Sequence, residues 1–424
     1  MAFRKLLNRG QLIPRPVRRI AQRVLFFLSI MGPGLITASA DNDAAGVATY
    51  SMVGSYYGYG MLWVILWITV GEVLVQEMAA RMGAVTGKGL TDLIRERFGV
   101  KPALLVIGGL VLANLGTTAA QFAGIAASAQ LFGLPHYLVV PLAAVLVWWL
   151  VVHGSYERVE KVLLVLSLYA VAYIIAAFRV NPPWAEVARA TLVPTIKWEG
   201  GFMLALLATF GTTMTPWGAA YMQATVADKG VKIKDFAYTR MDVVVGATLG
   251  NVVSAFVILC TAATLFARGI RVEGAEEAAL ALEPIAGAWA RQLFAGGLMG
   301  ASLLAAVVLP LATTYAVCEA FGWERGVNHS FGDAPWFFGL YTAMIVVSAL
   351  VVLIPGLPLF QLMWLSQVVN AVLLPAVMVY MLLLANNKEI MGQWINPRWV
   401  NVLSVILSLM IVVATVVMLV DLIF

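Results

Sequence analysis

Runs of about twenty apolar residues recur along this chain almost from end to end, and a backbone built of such runs has very few folds open to it. Eleven can be marked, at 24–52, 61–78, 103–132, 137–152, 162–178, 201–226, 243–266, 294–321, 336–354, 360–384 and 400–420. Inside a bilayer no water reaches the main chain, so each segment must satisfy its own N–H and C=O groups as a helix, or pair in a closed barrel. The runs are too long, and lack the strict alternation, for barrel strands. Hydrophobic residues make up 62% of the chain and charged ones 12%, which excludes a soluble globular domain. The expected fold class is an all-α membrane protein with eleven transmembrane helices.

Charge sets the expected topology. Arg4, Lys5, Arg9, Arg15, Arg18, Arg19 and Arg23 crowd the amino-terminal tail, and the alternate loops at 81–101, 157–161, 229–240, 325–329 and 388–398, all on the same side, hold most of the remaining basic residues. That side is expected to face the cytoplasm, which leaves the carboxyl terminus outside. The net charge of +5 thus reads as membrane topology, and no nucleic-acid partner is expected. No small-residue cleavage site follows 26–33, so a removable secretory signal is not expected. The segment 81–99 reads as a short amphipathic cytoplasmic helix. Cys260 and Cys318 lie in apolar runs without ligand spacing and read as core residues.

Two of the runs are interrupted. The first contains Ala40-Asp41-Asn42-Asp43-Ala44-Ala45-Gly46, two carboxylates at membrane depth, with Gly32-Pro33-Gly34 upstream. An uncompensated carboxylate there costs about 2.5–3.5 kcal/mol on insertion scales, so such acids face cavities and hold positive charge. The sixth contains Phe210-Gly211-Thr212-Thr213-Met214-Thr215-Pro216-Trp217-Gly218. Broken helices five spans apart mark an inverted repeat with the substrate held between the breaks. A single transporter domain over 1–424 is therefore expected: a basic tail (1–23), a first repeat (24–179), a second (200–385) and an additional helix (400–423).

Several motifs resemble the natural resistance-associated macrophage protein (Nramp) family. They are Gly32-Pro33-Gly34, the Asp43 region, Tyr59, Leu62-Trp63, Ala79-Ala80-Arg81-Met82-Gly83, Thr86-Gly87, Leu131-Phe132-Gly133, Pro216, Glu319-Ala320-Phe321, Leu365-Ser366-Gln367-Val368-Val369 and Leu374-Pro375. Their order covers nearly the whole chain. The resemblance implies the LeuT-type fold, with broken helices 1 and 6 in a five-plus-five inverted repeat, and transport of divalent metal ions.

The departures from the family pattern carry the finer expectation. Counting from Gly32-Pro33-Gly34 and from Trp63 places the acid of the family's Asp-Pro-Gly-Asn signature on Asp43 and its Asn on Gly46. The family's Met and His around the helix-six proline become Thr215 and Trp217. A thioether is a soft ligand, and replacing it with a hydroxyl leaves oxygen donors that suit hard ions such as Mg²⁺. The helix-three acids of proton-coupled members are replaced within Thr117-Thr118-Ala119-Ala120-Gln121, and the helix-nine arginine pair by Pro335-Trp336-Phe337-Phe338. This combination resembles the branch of Nramp-related magnesium transporters.

The metal-site set implied by the resemblance is Asp43, Ala40 (carbonyl only), Asp41, Gly46, Thr212, Thr215 and Gln367. Asp41 is balanced between ion contact and an outer role, and Gln367 between metal closure and an interhelical hydrogen bond. Asn42 reads as a turn residue. Glu72 and Glu77 read as pore-lining or cytoplasmic-end acids, Glu319 as a structural clamp, and His136, His153 and His329 as too dispersed for a metal cluster. The function expected is uptake of Mg²⁺ and Mn²⁺ as partly hydrated ions, by alternating access and without proton coupling. The alternatives are a proton-coupled Mn²⁺/Fe²⁺ symporter and an amino-acid symporter on the same fold. No cofactor, no obligate protein partner and no enzymatic activity are expected; the metal is substrate and the bilayer is solvent.

Overall fold

The computed structural model describes residues 42–153, 171–327 and 329–423, so Ala40, Asp41 and most of the fifth apolar run lie outside the described residues. The principal helices in chain order are α1 (Ala44–Tyr57), α2 (Leu62–Thr86), α3 (Leu90–Phe98), α4 (Val100–Leu131), α5 (His136–Val152), α6 (Val171–Val180) and α7 (Trp184–Leu192). They continue as α8 (Gly200–Thr213), α9 (Pro216–Asp228), α10 (Phe236–Thr264), α11 (Ala290–Phe321), α12 (Pro335–Val352), α13 (Leu359–Ala385) and α14 (Arg398–Ile423). Each apolar run with described residues coincides with helix.

Local chemistry sets the ends. Gly87 and Gly322 close α2 and α11 in the left-handed conformation (φ 65° and 71°), where a Cβ would be strained. Pro216 and Pro335 open α9 and α12 at a position where the missing amide costs nothing. The amphipathic helix expected over 81–99 is shorter than that: α2 runs on through Thr86, and only α3 is the surface helix. Arg81 belongs to the membrane helix because its guanidinium reaches inward, to the Trp394 carbonyl and to Asn396 Oδ1 (2.5 Å).

Helix α11 is the central strut, with 78% of its most apolar stretch buried, whereas α14 stands at the periphery with 22% buried. Helix α4 packs against α11, α12 and α13, and α8 packs against α13, α14 and α1. Helix α10 lies along α1 and α2. Leu105, Leu112, Val145 and Leu409 point outward from their helices, an apolar exterior suited to lipid. Polar side chains gather on the inner faces instead: Asn114, Thr117, Thr118, Gln121, Gln367 and Asn370 are all buried.

Candidate metal site at two helix breaks

Helices α8 and α9 have 14 and 13 residues, about 20 Å each, so neither alone crosses a bilayer. The join between them is the break expected in the sixth run. Met214 N–H donates to the Phe210 carbonyl (2.8 Å), the chain then leaves the helix, and Pro216 has no amide to offer. Thr215 caps α9: its Oγ1 accepts from Gly218 N–H at 3.2 Å. The carbonyl end of α8, with its partial negative charge, therefore meets the break.

Asp43 does for α1 what Thr215 does for α9. Its Oδ1 accepts from Gly46 N–H at 2.7 Å, and its Oδ2 accepts from Gln121 Nε2 at 2.6 Å. Asp43 is 5% exposed, and among the described residues no arginine, lysine or histidine forms an ion pair with it. The carboxyl group is thus held by neutral donors at the start of α1, and among the described residues no cationic side chain pairs with it. Helix α1 packs on α8, and the Tyr50 hydroxyl of α1 shares a hydrogen bond with Thr213 Oγ1 in the last turn of α8 (2.5 Å).

The expected site residues separate into distinct places. Thr212, in the last turn of α8, is buried and its Oγ1 has no partner among the described residues. Gly46 contributes its amide to Asp43 from within the first turn of α1, so it serves the cap and offers no side-chain ligand. Gln367 is engaged on its own helix: Nε2 donates to Ser366 Oγ (2.9 Å), and Oε1 accepts from Asn370 Nδ2 (3.2 Å). Its carbonyl nevertheless faces α8, for a Cβ on Gly211 would overlap it. Met214 stands in the break, but its thioether lies against Gly71 of α2, a glycine that Leu407 of α14 also approaches. Among the described residues no group of three or more His, Cys, Asp or Glu is placed to hold a metal.

Two residues matter more than their sequence context indicated. Gln121 clasps the first break from α4, receiving Ala44 N–H on Oε1 (3.3 Å) while its Nε2 donates to Asp43. The signal for it was the polar face Asn114, Thr117, Thr118, Gln121, spaced as one side of a membrane helix. Asn42 is more than a turn residue. Its Nδ2 donates to the Gly250 carbonyl (3.1 Å) and its Oδ1 accepts from Ser254 Oγ (3.2 Å), anchoring the break to α10.

The remaining acids lie elsewhere. Glu72 accepts from Gln76 Nε2 (2.7 Å) and Asn251 Nδ2 (2.5 Å) between α2 and α10. Glu77 pairs with Arg81 at 3.3 Å. Glu319 accepts from Thr91 Oγ1 (3.5 Å) and lies 3.6 Å from Arg325, joining α11 to the start of α3. His136 lies tilted against Tyr137, and His153 stacks on Trp149, both at helix ends.

A bundle of apolar helices with one span broken at Thr215-Pro216, and a buried carboxyl group capping the start of another helix, is the architecture expected of a membrane transporter, and solved structures share the fold. A manganese transporter of Eremococcus coleocola, in complex with an aromatic bis-isothiourea substituted compound, superposes with a TM-score of 0.73 at 21% identity, over 92% of this chain and 85% of the other. MhsT in complex with L-phenylalanine gives 0.63 at 16% identity, over 91% and 98%. The sequence profile described as natural resistance-associated macrophage protein-like matches residues 34–421, and the chain belongs to that family. The divalent metal cation transporter MntH of Yersinia pestis (strain Pestoides F) is 29% identical over 410 residues, covering 94% of this chain and 95% of its relative. MntH of Bacillus subtilis (strain 168) is 26% identical over 407 residues, covering 93% and 92%. The chain is accordingly a multi-pass membrane transporter with a LeuT-type fold, and its homologues are transporters rather than enzymes.

Proposed function

We propose that this protein carries divalent metal ions across the membrane, and that within its family it is a carrier of Mg²⁺ and Mn²⁺ that takes the ion partly hydrated and without proton coupling. The observation that carries the reading is the chemistry of the breaks. Asp43 is held by neutral donors with no ion-pair partner among the described residues, the caps and helix ends supply hydroxyl and carbonyl oxygens, and the sulfur of Met214 is turned into the packing against Gly71. An all-oxygen neighbourhood with one carboxylate suits a hard dication that retains waters. The names borne by relatives that match over nearly the full chain support the divalent-metal part.

The ligands we assign are Asp43, the Thr212 carbonyl or hydroxyl and Thr215, with Ala40, Asp41 and Gln367 as further contacts reached during the cycle. Asp43 binds the dication electrostatically. The half-helix ends orient its waters, and Gln121 fixes the carboxylate so that it does not swing with the ion. Proton coupling requires a titratable relay leaving the site. At the places where the family resemblance puts one, the chain has Gln121 and Thr118 on α4, Trp217 on α9, and Trp336 and Phe337 on α12. With the amino terminus cytoplasmic, an inward-moving dication gains about 4.6 kcal/mol per 100 mV of membrane potential, enough to drive accumulation alone.

Proteoliposomes test the reading. Mn²⁺ uptake is followed with an internal metal-sensitive dye, with Mg²⁺ as competitor and a pH-sensitive dye in parallel vesicles under clamped potential. Uptake that excess Mg²⁺ suppresses, without acidification of the lumen, is the expected result. Mg²⁺-insensitive uptake refutes the magnesium assignment, and metal-dependent acidification refutes uncoupled transport.

A further inference from the structure

A chain of hydrogen bonds runs from Asp43 to Gln367. Gln121 Nε2 donates to Asp43 Oδ2 (2.6 Å) and to the Thr117 carbonyl (3.2 Å). Asn370 Nδ2 donates to Thr117 Oγ1 (2.9 Å) and to Gln367 Oε1 (3.2 Å), and Gln367 Nε2 donates to Ser366 Oγ (2.9 Å). The chain crosses from the start of α1 through α4 to α13. Thr117, Gln121, Gln367 and Asn370 are each at most 1% exposed, so these bonds are made away from solvent.

Two hydroxyls fix the direction of both amides on α13. Thr117 spends its hydrogen on the Ala113 carbonyl (3.0 Å), and Ser366 spends its own on the Met363 carbonyl (2.7 Å). Each hydroxyl oxygen can then only accept from the neighbouring amide. Asn370 therefore turns its amide nitrogen toward Thr117 and Gln367, and both of its hydrogens are committed. Gln367 turns its oxygen toward Asn370 and its nitrogen toward Ser366. Its amide lies along its own helix, pinned at both ends.

Gln367 also borders the second break. A Cβ on Gly211, the neighbour of Thr212 in α8, would overlap the Gln367 main-chain carbonyl, and α13 packs on α1 as well. A free amide oxygen in this position could replace one of the ion's waters. Pinned, it leaves that water in place. Mg²⁺ gives up water reluctantly, whereas larger divalent ions exchange it for a protein oxygen more readily.

We propose that Asn370 is a positioning residue for ion selectivity: it keeps the Gln367 amide oxygen off the arriving ion, so that Mg²⁺ enters with its waters and Mn²⁺ gains no extra ligand. This rests on the transport reading above. Asn370 does not touch the ion. It acts through Gln367, and the Thr117–Gln121 link ties that restraint to the helix that holds Asp43.

The experiment uses the full-length protein, with Mn²⁺ as the probe and Mg²⁺ as competitor. Proteoliposomes give the half-saturating Mn²⁺ concentration and the Mg²⁺ concentration that halves Mn²⁺ uptake. Wild type is compared with Asn370→Leu, Ser366→Ala, and Asn370→Leu combined with Gln367→Leu. In detergent, the waters left on bound Mn²⁺ are counted by pulsed EPR in isotopically labelled water. Asn370→Leu keeps the size and removes both donors. Mn²⁺ should gain about tenfold over Mg²⁺ and lose one bound water, because the freed amide oxygen replaces it. Ser366→Ala unpins the other end of the amide and should shift the ratio in the same direction. In the double variant the gain should vanish, because leucine has no oxygen to offer. A merely structural role for Asn370 moves Mn²⁺ and Mg²⁺ together and leaves the water count unchanged. That result, or a gain that survives Gln367→Leu, overturns the proposal. If Asn370→Leu does not yield monodisperse protein, Ser366→Ala decides alone on the same two readouts. Failure of the transport reading gives a different pattern, in which wild-type vesicles take up no Mn²⁺, and the selectivity role falls with it.

Discussion

Gln121 on α4 meets Asp43 through both atoms of its amide group: Nε2 donates to Asp43 Oδ2 at 2.6 Å, and Oε1 receives the next amide of the chain, Ala44 N–H, at 3.3 Å. A neutral side chain thus fixes both the carboxylate and the first turn of the half-helix it caps. The clasp joins α1 to α4, so its strength bears on the packing of the two helices as well as on the ion.

Replacing Gln121 with Leu should therefore weaken both. Asp43 loses a hydrogen bond of the charged class, about 1.5–3 kcal/mol, and Ala44 N–H is left without its acceptor. Half-saturation for Mn²⁺ uptake should rise roughly tenfold or more, and the solubilised protein should melt at a lower temperature. Unchanged uptake would mean that the clasp is not formed while the ion binds.

Gln121→Glu asks about protons. A second carboxyl in contact with Asp43 carries a proton that an arriving cation must displace. Uptake by this variant should fall as pH drops, more steeply than wild type, and should release protons on metal binding. A pH profile that overlays wild type between pH 5 and 8 would contradict the placement of Gln121.

Asp43→Asn separates charge from capping. Asn caps a helix about as well as Asp, so α1 should keep its start. The charge is gone, and metal uptake should drop roughly a hundredfold, in line with the loss of about 3 kcal/mol of charged interaction. Retained uptake in monodisperse protein would move the site away from the first break.

Thr215→Met tests the hard-ligand reading. The variant loses the cap on Gly218 N–H, worth about 1 kcal/mol, and Thr215→Ala controls for that loss. Cd²⁺ binding should strengthen in Thr215→Met alone, because sulfur favours soft ions. Equal Cd²⁺ affinity in the two variants would mean that position 215 does not face the ion.

At Gly211 the backbones of α8 and α13 come close together. A Cβ there would overlap the Gln367 carbonyl, a backbone atom that cannot rotate aside. Gly211→Ala should destabilise the protein by about 1–3 kcal/mol, measured as a lower melting temperature in detergent, and should slow transport by holding the two helices apart. A melting temperature equal to wild type would show that the helices have slack at this crossing.

The sequence by itself determined the spans. Apolar run length, glycine stops and proline starts have local causes, and bilayer thickness supplies the ruler, so the ends of α4, α11 and α13 fall within a few residues of their runs. The second break was equally local, because Thr215-Pro216 within an apolar run has no other use, and so was the capping role open to Asp43. The tertiary structure alone decided which side chains meet. Asn42 bonds Gly250 and Ser254 across more than 200 residues of sequence, and Gln121 finds Asp43 across 78, while Asn370 reaches Thr117 across 253. It also decided that the Met214 sulfur, adjacent in sequence to the break, turns toward Gly71. In a membrane interior a polar side chain gains by finding a partner, but which partner depends on how the helices cross, and periodicity along one helix fixes a face without fixing the neighbour on it.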